Sequence, residues 1–183
     1  MSNTNTSKRR QAKGAALTEF AAAFVTLVIF FFVPLVNMSF IGVRFFIMQG
    51  AVQEFAHRLA LAEKRSDSYT TLASDSRWSD YCNNCGMTIE HKNLDLVICS
   101  STNASQIRLH AGQPVPAQWL PGGTNSPCVY TYDLSVSLSI PPIYTGVPAI
   151  PGITAPLTFT FDGRSAWENL SRDPISSEYF INE

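Results

Sequence analysis

The chain has 183 residues, of which 45% are apolar and only 15% charged, and its formal net charge is −1. A near-neutral chain with so few charges argues against a nucleic-acid partner. Its length suits one domain of ordinary size plus an appended segment.

That average hides an asymmetry. Lys8, Arg9, Arg10 and Lys13 fall in a leader without acids, and from Phe20 to Val43 no residue is charged. A helix needs about 20 mostly apolar residues to cross a hydrocarbon core of about 30 Å, and this run suffices with some tilt. It is too long for a cleaved secretory signal, whose apolar region is about 7–15 residues, and Asn37-Met38-Ser39-Phe40 offers no small-residue cleavage site. Phe30, Phe31 and Phe32 in succession make it apolar on every face, unlike the buried helix of a soluble core. The preceding basic residues put the N-terminus in the cytoplasm and the remainder outside. Pro34 predicts a kink. Past the span, Phe45, Met48, Val52, Phe55, Leu59 and Ala62 recur at steps of three and four. This stripe predicts one long helix, from about Ala15 to about Lys64, reaching roughly 70 Å.

At the junction of leader and helix, Lys13-Gly14 is followed by Ala15-Ala16-Leu17-Thr18-Glu19-Phe20. Glu19 is a lone carboxylate at the mouth of a span, a position that costs about 2.5–3.5 kcal/mol on insertion scales and marks a functional candidate. The arrangement resembles the class III signal of type IV prepilins, in which a prepilin peptidase cuts after Gly and Glu becomes the fifth mature residue. Glu19 with Phe20 beside it looks most like the Flp/Tad branch. The short basic leader, single helix and sizeable exported domain resemble its TadE-like minor pseudopilins. The resemblance implies cleavage between Gly14 and Ala15. It also implies partners in the prepilin peptidase, other pilin-like subunits, an inner-membrane assembly platform and membrane lipid. Finally, it implies that Glu19 meets the new terminal amine of an adjacent subunit. Four segments follow: a cleaved leader (1–14), a transmembrane helix (15–43), an amphipathic extension (44–65) and a β-rich exported domain (66–183).

From Ser66 the composition turns to Ser, Thr, Asn, Asp and Pro, so residues 66–93 read as loop with one short helical turn around Trp78. Residues 94–101 suit a buried strand, and 111–128 are turn-forming throughout. Between Tyr130 and Ile140, apolar residues alternate with Thr131, Asp133, Ser135, Ser137 and Ser139, the period of a half-buried strand. Residues 141–156 contain five prolines and predict an irregular excursion. A second strand, 157–163, ends at an Asp-Gly turn signal and pairs antiparallel with the first. Covered by the amphipathic helix, this gives an α+β domain: a long N-terminal helix packed on a small antiparallel sheet. Glu168 after the strand pair also resembles the TadE-like pattern. The tail from Ser171, polar apart from Tyr179, Phe180 and Ile181, reads as a frayed terminus.

Cys82, Cys85, Cys99 and Cys128 all lie in the exported half, where an even count favours two structural disulfides. The pairing is open: Cys82–Cys85 with Cys99–Cys128, or bridges from the 82–85 loop to both later segments. Zinc would want a second close pair, and redox catalysis a Cys-x-x-Cys opening a helix in a βαβ setting. His57, His91 and His110 are scattered, not at metal-ligand spacing. No phosphate loop, nucleophile elbow or recognisable carboxylate pair points to an enzyme, and no cofactor is implied. The competing readings are a sensor or binding domain on an uncleaved anchor and, further off, a tethered thiol oxidoreductase.

Overall fold

The computed structural model describes residues 17–145 and 148–182. Two compact units emerge, one joining the helix up to Gly42 with Pro142–Pro156, the other joining Val43–Pro141 with the chain from Leu157 onward. Gly14 and Ala15 lie outside the described residues.

The first unit is built on helix α1, Leu17–Ala60, whose N-terminal part is long and apolar enough to cross a membrane. Its first turns expose apolar side chains all round, including Leu17, Phe20, Phe24, Phe30, Phe31, Phe32, Leu35 and Met38. The hydroxyls in this stretch return to their own helix: Thr26 Oγ1 donates to the Ala22 carbonyl at 2.9 Å and Ser39 Oγ to Leu35 at 2.8 Å. The disturbance expected at Pro34 takes the form of a π-helical turn, Val28–Phe32, closed by the Val33 N–H on the Val28 carbonyl five residues back. Pro34 has no N–H to give, and its ring would collide with the carbonyl of Phe30; widening the preceding turn relieves both.

One face of this part of α1 is covered. Val33 and Pro34 are half-buried, and Asn37 and Ile41 are buried. Asn37 Nδ2 donates to the carbonyls of Tyr144 (3.2 Å) and Ile153 (2.5 Å), and its Oδ1 accepts from the Tyr144 N–H at 3.1 Å. The proline-rich excursion, irregular as expected, is therefore tied to the helix by the Asn37 amide, and Arg44 Nη1 donates to the carbonyl of Pro141 at its start, at 2.7 Å.

The second unit is the α+β domain. After α1 come α2 (Arg65–Ser74), α3 (Ser76–Asn84), β1 (Thr88–Ser100), β2 (Gln106–Leu109), β3 (Cys128–Ile140) and β4 (Leu157–Ala166). The four strands form an antiparallel sheet in the order β2-β1-β3-β4. On one face Leu94, Leu96, Ile98, Tyr132, Leu134, Val136, Leu138, Ile140 and Phe161 are at most 2% exposed. Each such side chain contributes about 1.5–3 kcal/mol by leaving water. Of the stripe read from the sequence, Met48, Val52, Phe55 and Leu59 are buried and Phe45 and Ala62 half-buried, and Ala56 is buried beside them. Phe45 meets Phe159 and Phe161 with ring centroids 5.3 and 5.0 Å apart.

Three expectations are corrected here. Residues 66–93 are largely ordered secondary structure: two helices fill 65–84, and β1 starts at Thr88, six residues before the apolar run at Leu94. In α2 the positions turned inward are Arg65, Ser68 and Leu72, two of them polar, so no apolar stripe advertises the helix. Most of their polar groups find tertiary partners, although Arg65 Nε is buried without one. Arg65 donates to the carbonyls of Gln113 (2.6 Å) and His110 (2.8 Å), and Ser68 Oγ donates to Leu59 while accepting from the Tyr132 hydroxyl. Second, Asp162-Gly163 is no turn, because β4 runs through it to Ala166. Gly163 is where α1 approaches: a Cβ there would stand 2.7 Å from the Val52 carbonyl oxygen. Third, the C-terminal tail is docked. Phe180 and Ile181 are buried, the Phe180 carbonyl accepts from the Arg65 N–H, and Asn182 Oδ1 accepts from the Val115 N–H.

The outer edge of β4 is also occupied. Gln49 Nε2 donates to the Asp162 carbonyl at 3.0 Å. Gln53 donates to the Arg164 carbonyl at 2.5 Å and accepts its N–H at 3.1 Å, and one turn on His57 Nδ1 lies 3.2 Å from Ser165 Oγ. Side chains at four-residue spacing on α1 thus stand in for a neighbouring strand.

Candidate functional site: the anchor helix and the thiols

Glu19 and Phe20 lie in the first described turns of α1 with exposed side chains, and Phe20 stacks on Phe24 at 6.3 Å. The carboxylate therefore opens a helix whose first turns, up to Phe32, are apolar and almost wholly exposed.

The four cysteines are unpaired thiols in this structure. Cys82 and Cys85 share the last turn of α3, Cys82 buried and Cys85 at the C-cap. Burial first, and then the neighbouring Cys85, pushes the Cys82 thiol up to about 11. A redox-active Cys-x-x-Cys needs the opposite, a thiolate favoured at a helix N-terminus; here the pair sits at the negative end of the helix dipole. Cys99 and Cys128 lie near each other on β1 and β3, where burial and then Cys99 raise the Cys128 thiol. Their register is offset: Cys99 faces Val129 and Cys128 faces Ser100. The two sulfurs therefore start from opposite faces of the sheet, and a bridge between them would require local movement at the strand ends.

On the outward face of the sheet, Asp95 and Asp133 stand directly opposite each other on β1 and β3 and are 3% and 7% exposed. Like charges in that relation repel, and here Arg108 bridges them at 2.9 and 2.6 Å. Arg164 adds a contact to Asp133 at 3.2 Å, and His110 Nδ1 one to Asp95 at 2.6 Å. The oxygens of this carboxylate pair are engaged by Arg108, Arg164, His110 and Asn93, which makes it a cross-strand clamp. Only a strand-level register could have revealed it. Burial pushes the Asp95 carboxyl up, but hydrogen bonds from His110, Arg108 and Asn93 outweigh it and hold it below the usual carboxylate range. A depressed native value contributes stability above the unfolded value of about 3.9, and that contribution is lost as pH falls through the native value. Asp95→Asn should therefore lower stability by about 1–3 kcal/mol at neutral pH. In paired thermal melts, its deficit against the natural chain should shrink below about pH 4.

Comparison with protein-family models, with curated proteins and with solved structures finds no match to this chain.

Among the described residues no cluster of three His, Cys, Asp or Glu could hold a metal ion. His91 lies in β1, and His57 and His110 make the contacts above, so the three histidines are not brought together. An open groove of about 370 Å³ lies between α1 and α3, where Trp78 stacks on Phe55 at 4.8 Å, rimmed by Glu54, Arg58, Asp75 and Arg77. The residue that sequence reasoning passed over is Asn37. A lone amide in an otherwise apolar span was the available signal.

Proposed function

We propose that the chain is a minor pilin or pseudopilin, TadE-like, of a Tad/Flp-type or type IV pilus or a related secretion apparatus, acting in filament assembly or adhesion. The observation that carries this reading is Glu19, five residues after Gly14 and beside Phe20, at the start of an apolar helix whose first turns are exposed. On this reading a prepilin peptidase removes residues 1–14. The helix anchors the protein once in a bacterial inner membrane, with its leader cytoplasmic and its domain periplasmic or extracellular, and it packs beside other pilin-like subunits on an assembly platform. Work by assembly needs no catalytic residue or cofactor, and the inert position of the Cys82-Cys85 pair supports this over a tethered oxidoreductase. In an oxidising compartment the four cysteines form two bridges: Cys82 and Cys85 share one helical turn, and Cys99 and Cys128 would join after local movement at the ends of β1 and β3.

The N-terminal sequence of the mature protein tests the reading. Expression beside an active prepilin peptidase should yield a chain beginning at Ala15, and Gly14→Leu should accumulate as a full-length membrane-bound precursor. A leader still attached to the natural chain would remove the pilin reading and favour a binding domain on a simple anchor.

A further inference from the structure

The docked excursion has a chemistry its loop character does not require. From Pro141 through Phe161 there is no charged residue, and five of the residues between 141 and 156 are prolines, which carry no N–H. Many of the remaining donors are satisfied inside the unit. The N–H groups of Ile153, Thr154 and Ala155 all reach the Ile150 carbonyl, at 3.0 ± 0.1 Å, that of Gly152 reaches the Ala155 carbonyl at 2.9 Å, that of Ile150 reaches Thr154 Oγ1 at 2.9 Å, and that of Tyr144 reaches Asn37. The Thr154 hydroxyl in turn donates to the Pro148 carbonyl at 2.6 Å. A segment with few donors, most of them paired, loses little when water is removed, which is the condition for irregular backbone at membrane depth. Its outward side chains are apolar: Ile143 is 53%, Tyr144 59% and Ile150 44% exposed.

Depth follows from the helix. Asn37 lies eighteen residues beyond Glu19, about 27 Å along an α-helix, close to the full thickness of a hydrocarbon core. With Glu19 at one interface, the loop is pinned at the other, where an aromatic with a polar tip such as Tyr144 is favoured. At the same level α1 exposes Val36, Met38 and Phe40, so helix and loop offer lipid a single apolar belt.

We propose that Ile143–Thr145 and Pro148–Pro156 form a second membrane contact, which dips into the outer lipid interface and is held against the span by Asn37. The proposal rests on α1 spanning the bilayer.

The test uses the full chain in phosphatidylcholine vesicles, with and without bromines on the acyl chains. Ile150→Trp should add fluorescence, above that of the natural tryptophans, which brominated lipid quenches by about twofold or more, most strongly with bromines near the headgroup end. Phe31→Trp, in mid-span, reports on the anchor separately. Quenching at Phe31→Trp without quenching at Ile150→Trp would overturn the loop contact and leave the anchor standing. No quenching at Phe31→Trp would remove the anchor, and this inference with it. Adding Asn37→Leu, which keeps the span apolar, to Ile150→Trp should lose the quenching; unchanged quenching would overturn the role of Asn37 as the pin.

Discussion

Gly163→Val is expected to prevent the second unit from reaching its native packing. Even the first atom of a side chain at this position would stand 2.7 Å from the Val52 carbonyl oxygen and 3.1 Å from Ala56 Cβ. The obstructing atoms are mostly helix backbone, which cannot swing aside as the end of a long side chain can. Overpacking a fitted site costs typically about 1–3 kcal/mol, and the branched valine belongs at or above the top of that range. Set against a total stability of about 5–15 kcal/mol, that is a large share. Gly163→Ala should lower the melting temperature by several degrees, and Gly163→Val should lose the cooperative near-ultraviolet transition or expose the 65–100 region to protease. Gly50 supplies the control. It sits in the same helix with nothing within 4 Å of its would-be Cβ, so Gly50→Ala should stabilise by about 0.5–1 kcal/mol. Equal tolerance at both positions would show that α1 does not lie on β4 as described.

If the pilin reading holds, Glu19→Val is expected to insert normally, keep its processing largely intact and lose incorporation into a filament. Cleavage after Gly14 would create an amine on Ala15, four residues before Glu19 in the chain, a charge to pair with the carboxylate of the same or an adjacent subunit. An unpaired carboxylate among apolar helices is costly, and an opposite charge offsets that cost. The pairing also fixes axial register, since a slip by one turn strands both charges. Loss of even about 1.4 kcal/mol per contact is tenfold in association, and a filament multiplies that penalty along its length. The readout is sheared-filament yield together with mass spectrometry of the membrane fraction. Natural assembly by a processed Glu19→Val chain would sink this role; the alternative leaves Glu19 among headgroups, where valine changes almost nothing.

How far the fold could be read from the sequence depended on where the buried surface was apolar. Helix α1 and strand β3 were plain because Met48, Val52, Phe55 and Leu59 keep a helical period and Tyr130 to Ile140 keep a period of two. Helix α2 was invisible because it buries Arg65 and Ser68, which meet Gln113 and Tyr132 far along the chain. Helix α3 carried a readable start, Asp75 capping the Arg77 N–H, with Trp78 and Cys82 one turn apart on its buried side. Asp162-Gly163 misled because glycine has two uses: it turns a chain, or it lets another backbone come close. The candidate residues of the leader junction rest on pattern alone, whereas Asn37 and the Asp95–Asp133 clamp emerge only when distant segments are brought together.

The glutamines along β4 bear on how copies of this protein can associate. A sheet with two free margins can add strands without limit, each newcomer offering a fresh template. Here Gln49 and Gln53 occupy the hydrogen-bonding positions on one margin, and the opposite margin ends in β2, a strand of four residues. Backbone annealing between copies is thereby closed on one flank and short on the other, so at most it ends in a closed pair. On the pilin reading proposed above, a larger assembly of this subunit would have to cohere through side chains along its helices rather than through a shared sheet.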